Sequence, residues 1–315
     1  MSARPHDGMH PRHWALVYDD ADRFAAGVGA FVREGVDRGE RVLAALTREK
    51  AAWLREELGE DREMVEFADA GELYARPGPM LTAVVEYLRR HAAPGRGRVR
   101  VVAEQALATR APADTRAYLR YEAASNVVYQ RFAASVLCPY DAHLLPDAVV
   151  EDALRTHPEV LDATGPRRSD AFLDPRDFIR GRERVEAAPP GAPVQELERL
   201  EDIPVARRLA GEYAGAAGLS RATIEDMLVA VSEVATNALV HGQAPRCMWI
   251  YLRHDALVCH VHDGGPGLPD PLLGYLPPDS GVHEGRGLWL AHHFCDIVEV
   301  AADRSGTHVY LRMRL

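Results

Sequence analysis

The sequence predicts two domains, an α/β domain built on a parallel sheet and then an α+β domain. From residue 10 to 165, strand-like apolar runs alternate with helical periodicity, which is typical of a parallel sheet. Residues 166–195 are rich in Pro and Arg, with little apolar periodicity, and predict a linker. From 196 to 315, apolar helices and strands are separated by glycine turns. A chain of 315 residues fits two domains of about 100–200 residues each.

The elements of the first block follow from its periodicity. Strands are predicted at 14–18, 41–46, 64–67 and 99–103, and helices at 21–35, 49–58, 81–91 and 118–134. The turn after the first strand lacks the GxxxxGK[ST] phosphate loop, and Gly27 and Gly29 fall inside the helix instead. A phosphate cradle is therefore not expected in this block.

Composition excludes several classes of function. The formal net charge of −10 argues against a broad nucleic-acid-binding surface and so against direct DNA binding. No apolar run reaches about 18 residues, and the N-terminus has no apolar signal region, so we expect a cytoplasmic protein without membrane spans. The four cysteines form no CxxC pair, which argues against a zinc site or a redox motif and favours buried thiols.

Residues 10–165 resemble the MEDS sensory domain. The residues that carry this resemblance are His13 with the 15–18 strand, Gly39-Glu40-Arg41, Cys138-Pro139-Tyr140-Asp141 and Leu154-Arg155-Thr156-His157-Pro158. The resemblance implies a RecA-like fold without a working phosphate loop. It also implies sensing, but it leaves the sensed ligand unknown.

Four polar residues of this block are candidates for the wall of a ligand cavity: His13, Glu104, Tyr140 and Asp141. A structural interpretation stands beside this one. Pro and Asp favour turns, so the stretch 138–141 is alternatively interpreted as a structural turn with no ligand.

The second block contains a polar stripe on an apolar helix. Glu233, Asn237 and His241 are spaced four residues apart and share one face of the helix predicted at 228–241. These three polar residues either form a solvated surface or belong to a binding site.

Three glycine turns follow the helix and favour a site. They are Asp263-Gly264-Gly265-Pro266-Gly267 after a strand, Gly285-Arg286-Gly287 before a helix, and Gly306-Thr307 before a closing strand. Glycine lets the backbone approach a ligand closely, and free N–H groups at a helix start bind anions. Together the stripe and the turns predict a nucleotide site.

These motifs resemble the Bergerat (GHKL) ATP-binding fold, an α+β sandwich, and within it the anti-sigma serine kinases of the RsbW type. The string T-N-A-L-V-H-G favours that branch. The resemblance implies ATP and Mg²⁺ as cofactors. It makes Glu233 the general base and Asn237 the Mg²⁺ ligand. The residues that would contact the nucleotide are Asp263, Gly265, Gly267, Gly285, Arg286, Gly287 and Thr307.

The same resemblance suggests partners. Arg207, on the preceding helix, matches the position used against a sigma factor, although a solvent-facing arginine is an equal interpretation. Residues 270–284 would form a lid over ATP. His283-Glu284 stands where relatives commonly place an arginine, which weakens the case for phosphoryl transfer. Homodimerisation is expected from the family.

Three hypotheses remain open from the sequence. The first is a partner-switching regulator whose sensor controls a serine kinase acting on a STAS-domain anti-anti-sigma factor or binding a sigma factor. The second is an ATP-binding module that sequesters such a partner without catalysis. The third is a sensor histidine kinase, against which stand the Pro-rich linker and His157-Pro158 where a phospho-acceptor hairpin is needed. Metal binding by His260, His262, His292 and His293 is not expected, because no Cys or carboxylate spacing completes a site.

Overall fold

The computed structural model describes residues 11–93, 95–162, 164–276 and 285–315. The chain forms two compact units. The first holds residues up to 75 and 80–178, and the second holds 76–79 and 179–315. None of the described helices is both long and apolar enough to cross a membrane.

The first unit is built on a seven-stranded sheet of order β3-β2-β4-β5-β1-β6-β7. Its pairs are parallel except β6 with β7, which confirms the predicted parallel sheet. Its elements are β1 (Arg12–Tyr18), α1 (Ala21–Asp37), β2 (Arg41–Leu46), α2 (Arg48–Leu58), β3 (Val65–Asp69), α3 (Ala70–Leu73), α4 (Pro77–His91), β4 (Val99–Ala103), α5 (Pro112–Tyr129), β5 (Ala134–Asp141), α6 (Asp147–Thr156), β6 (Glu159–Asp162) and β7 (Gly165–Arg168).

The strand β5 lies at the centre of this sheet, between β4 and β1. The sequence predicts a helix as far as residue 134 and offers a turn at 138–141, and both interpretations are wrong there. The helix ends at Tyr129, and Cys138 to Asp141 are strand residues. Pro139 is tolerated in this central strand, where it pairs with Leu16 of β1. Turn propensity is overridden because the strand is buried on both faces.

The second unit is an antiparallel sheet of order β11-β12-β10-β9-β8 covered by helices on one face. Its elements are α7 (Pro175–Arg180), which begins just before the unit, β8 (Val194–Glu196), α8 (Ile203–Ala216), α9 (Arg221–Val240), β9 (Arg246–Arg253), β10 (Ala256–Asp263), α10 (Arg286–Phe294), β11 (Ile297–Asp303) and β12 (Gly306–Arg314).

Alternation along β10 divides the two faces of this sheet. Leu257, Cys259 and Val261 join the core beneath α8, α9 and α10. Val258 points to the opposite face, where it clusters with Tyr251 and Tyr310.

Part of the segment predicted as a linker packs on that opposite face. Ala188 and Ala192 lie against the Tyr251 cluster. Glu186 accepts hydrogen bonds from Arg253 Nη1 at 2.5 Å and Arg312 Nη2 at 3.1 Å. These two arginines lower the pKa of the Glu186 carboxyl, against the opposing effect of its burial. The second half of the Pro-rich segment is thus held on the sheet by packing and by charge.

Candidate nucleotide-binding site

Two predicted residues lie against the start of α10. Glu233 and Asn237 are one turn apart on α9, and both are half-buried. A methyl group placed on Gly287 would lie 2.5 Å from Glu233 Oε2 and 3.4 Å from Asn237 Nδ2. The structure therefore brings a carboxylate, a carboxamide and the first turn of a helix to one place. Only a residue without a side chain fits at 287 when Glu233 holds this position.

The first turn of α10 is preceded by Gly285 and begins with Arg286. Gly285 is the N-cap residue and adopts a left-handed conformation with φ of 76°, and the Arg286 side chain is exposed. The N–H groups at such a helix start attract anions. Glu233 alone would repel a phosphate, so a phosphate here needs a bridging cation.

The other predicted polar pair joins two neighbouring strands. Asp263 ends β10 and lies directly opposite Thr307 on β12. Asp263 Oδ1 accepts a hydrogen bond from Gly265 N at 2.7 Å, and Thr307 Oγ1 accepts one from Gly267 N at 3.1 Å. The glycine turn after β10 is thus folded back onto both side chains.

Gly306 makes this close pairing possible. Its φ is 142°, and a methyl group there would lie 1.9 Å from the Asp263 carbonyl oxygen. A backbone atom cannot move aside as a side chain can, so a larger residue would force β12 away from β10 and shift Thr307.

Helix α9 connects the two halves of the site. Its C-terminal end is followed by Gly242, where a methyl group would lie 2.4 Å from Asp263 Cγ. Helix α9 ends at Val240, and at 1.5 Å of rise per residue Glu233 lies about 10 Å before that end. Asp263 and the start of α10 therefore lie near separate points along one helix.

The donor set fits ATP with Mg²⁺. Among the described residues, the hydrogen bonds of the Asp263 carboxylate use Oδ1, which leaves Oδ2 to accept from an exocyclic amine. Carboxamide and carboxylate oxygens are the ligands that Mg²⁺ takes, along with phosphate oxygens and water.

The other residues predicted for the site fall into two cases: some lie away from the side chains described above, and some lie outside the described residues. Arg207 is exposed on α8, and its Nη1 donates to Ser232 Oγ at 2.6 Å. Ser232 immediately precedes Glu233 in the sequence. The contact that brings Arg207 of α8 to Ser232 of α9 could not be predicted from sequence spacing. Residues 277–284, which include His283-Glu284 and most of the predicted lid, lie outside the described residues.

His260 and His308 form an aromatic stack with Tyr310 on the sheet face opposite the helices. His260 Nε2 lies 3.0 Å from His308 Nδ1, and its ring stacks on Tyr310 with centroids 4.3 Å apart. Burial, with His308 nearby, lowers the pKa of His260 to about 3. The imidazole is therefore neutral and packs as an aromatic ring.

In the first unit, the four suspected cavity residues separate into two groups. Glu104 is buried and accepts from Lys50 Nζ at 2.6 Å, and Lys50 lies 4.0 Å from Asp141. His13 and Tyr140 belong to a different cluster, around His157. Lys50 was not predicted as a buried residue, because it lies in a helix of mostly polar composition, where a lysine is expected to be exposed.

A cavity of about 1350 Å³ also opens in this unit, away from those residues. It lies near the beginnings of β1 and β4. Its charged lining consists of Arg12, Arg23, Glu34, Arg38, Glu40, Arg98, Arg100 and Asp162. The buried Arg100 donates to Glu40 at 2.5 Å and to Glu34 at 2.9 Å, so its charge is compensated.

Comparison with known families agrees with this division. Residues 12–158 match the MEDS family, the MEthanogen/methylotroph, DcmR Sensory domain. Residues 197–313 match the histidine kinase-like ATPase domain. No curated protein matches the chain significantly. The chain thus combines a MEDS domain with a C-terminal histidine kinase-like ATPase domain, and this pairing indicates a regulatory ATP-binding protein.

Proposed function

We propose that the second unit is an anti-sigma serine kinase controlled by the N-terminal sensor. The observation that carries the proposal is the convergence of Glu233, Asn237 and the start of α10. A carboxylate beside a phosphate site is unfavourable for binding alone, but it is what proton abstraction from an incoming hydroxyl requires.

The chemistry assigns a role to each group. Asp263 and Thr307 would hold the adenine base, and Asn237 would hold Mg²⁺, which would supply charge neutralisation at the phosphates. Glu233 accepts the proton of a partner serine hydroxyl. The serine oxygen forms a bond to the γ-phosphorus while the bond from that phosphorus to ADP breaks.

The partner proposed is a STAS-domain anti-anti-sigma factor, with a sigma factor as the second binding partner. The position of Arg207 supports a docking role. Arg207 is exposed on α8 and its Nη1 donates to Ser232, the residue before Glu233, so a partner that contacts this arginine would lie close to the proposed base.

The first unit argues against a sensor histidine kinase. His157, the histidine nearest the linker, has none of its surface exposed. A phospho-acceptor must reach the γ-phosphate, so this histidine cannot serve. Within the described part of 166–196, the helix present is the short α7 (Pro175–Arg180), which is too short for a dimerising hairpin.

The test uses the full chain with Mg²⁺, ATP labelled at the γ-phosphate, and each STAS-domain protein of the host. Glu233→Gln keeps the shape of the side chain against Gly287 and removes the base. We expect label on a partner serine, and we expect Glu233→Gln to lose it while binding ATP normally.

Asp263→Asn serves as the matched variant for the nucleotide and should lose ATP binding itself. If the chain binds ATP but transfers no label to any partner, the sequestering module is favoured. The sequence His283-Glu284 motivates that hypothesis. Absence of ATP binding by the wild-type chain would overturn both functions.

A further inference from the structure

Four metal-ligating side chains meet in the interior of the first unit. His13 of β1, Glu122 of α5, Cys138 of β5 and His157 after α6 are each at most 4% exposed. One ligand atom from each lies within 4.8 Å of all the others. The residues come from four separate elements, so no local sequence spacing reveals them.

The distances suit a tetrahedral ion. His13 Nε2 and His157 Nε2 each lie 3.0 Å from Glu122 Oε1, and Cys138 Sγ lies 3.4 Å from His13 Nε2. Zinc bonds of about 2.0–2.1 Å to nitrogen and about 2.3 Å to sulfur place tetrahedral donors about 3.3–3.6 Å apart. Each of these three distances is within a few tenths of an ångström of its tetrahedral value.

Hydrogen bonds fix which nitrogen of each imidazole points inward. Asn126 Nδ2 donates to the carbonyl oxygens of Thr156 and Ala123, so its Oδ1 is the atom that accepts from His13 Nδ1 at 2.9 Å. His157 Nδ1 lies 2.7 Å from the Ala153 carbonyl oxygen, which can only accept. Both Nδ1 atoms therefore carry hydrogen, and both Nε2 lone pairs of the neutral rings face the centre.

If both imidazoles are neutral, the centre of the cluster holds no positive charge, although His13 Nε2 lies 3.0 Å from Glu122 Oε1. His157 Nε2 has no partner of hydrogen-bond geometry among the described residues, although Glu122 Oε1 is close. Two imidazole lone pairs, a carboxylate and a sulfur repel one another unless a proton or a cation lies between them. A divalent ion would neutralise the carboxylate and a thiolate, leaving no net charge in the interior.

We propose that His13, Glu122, Cys138 and His157 form a closed tetrahedral site for a divalent transition-metal ion, with zinc as the expected occupant. The thiolate and imidazoles favour zinc over Ca²⁺ or Mg²⁺, which prefer oxygen ligands. With four protein ligands the site is structural, and it ties β1, α5, β5 and the end of α6 together.

The test measures metal on the full chain and does not depend on the ATPase domain. After removal of metal with a chelator, the chain is titrated with Zn²⁺ and separately with Co²⁺. We expect one ion per chain and a thiolate-to-cobalt charge-transfer band. Cys138→Ser should abolish that band, and His157→Gln should weaken Zn²⁺ binding beyond the about 10–100-fold typical of a lost second-shell contact.

Two controls are matched by residue type. Cys247→Ser changes a half-buried cysteine of the other unit, and His143→Gln changes an exposed histidine of the same unit. Both should keep the ion and the band. A wild-type chain that shows no charge-transfer band and retains no ion would overturn the proposal, even if the ligand variants fail to fold. Unchanged binding in folded Cys138→Ser and His157→Gln would overturn it as well.

Discussion

Replacement of Gly287 by alanine tests the closeness of α9 and α10 on which the nucleotide site depends. The new methyl group would lie 2.5 Å from Glu233 Oε2 and 3.4 Å from Asn237 Nδ2. The carboxylate of Glu233 must shift, and it can do so at little cost because it is the far end of a flexible, half-buried side chain. The variant should therefore lose the position of the carboxylate rather than its stability, and alanine regains up to about 0.5–1 kcal/mol of helix propensity.

Gly211→Ala provides a matched control on α8. Its methyl group would meet Leu228 at 3.8 and 3.9 Å, which is ordinary van der Waals contact. We expect the two variants to differ by less than about 1 kcal/mol in urea unfolding, because both gain the same helix propensity and the clash at 287 is relieved by a side-chain movement. Titration calorimetry should show weaker binding of ATP with Mg²⁺ for Gly287→Ala alone. Equal ATP affinity in the two variants would refute the packing of Glu233 and Asn237 on α10.

Three further predictions concern buried polar groups and a strand pair. Because the folded pKa of His260 is about 3 and the unfolded value is near 6.5, the unfolded state binds more protons between these pH values. The unfolding free energy should therefore fall with decreasing pH by up to about 1.4 kcal/mol per pH unit more steeply in the wild type than in His260→Phe, and parallel pH curves would contradict this. Gly306→Ala should abolish ATP binding and lower the melting temperature, because its methyl group meets the Asp263 carbonyl oxygen at 1.9 Å; a wild-type melting curve would disprove it. Lys50→Met should destabilise the chain by about 3–5 kcal/mol in urea unfolding, since Glu104 loses its buried partner, and a loss below about 1 kcal/mol would show that the pair is solvated.

The sequence by itself predicted the parallel sheet of the first unit, because its strands are continuous apolar runs between amphipathic helices. It placed α9 and α10, whose periodicity and glycine boundaries are local signals. The nucleotide residues were also readable, since Glu233 and Asn237 share a helix face and the glycine turns stand beside them in order. Their roles in binding and catalysis remain predictions.

Tertiary structure decided what depends on residues far apart in the chain. The stretch 138–141 has turn composition, yet its parallel pairing with β1 and its burial make it strand. The Pro-rich segment has linker composition, yet Glu186 fixes it to two arginines of the sheet. The absence of a CxxC pair argued against a zinc site, but spacing reports only ligands that share one element. His13, Glu122, Cys138 and His157 meet only after the sheet has formed, so this cluster could not be read along the chain.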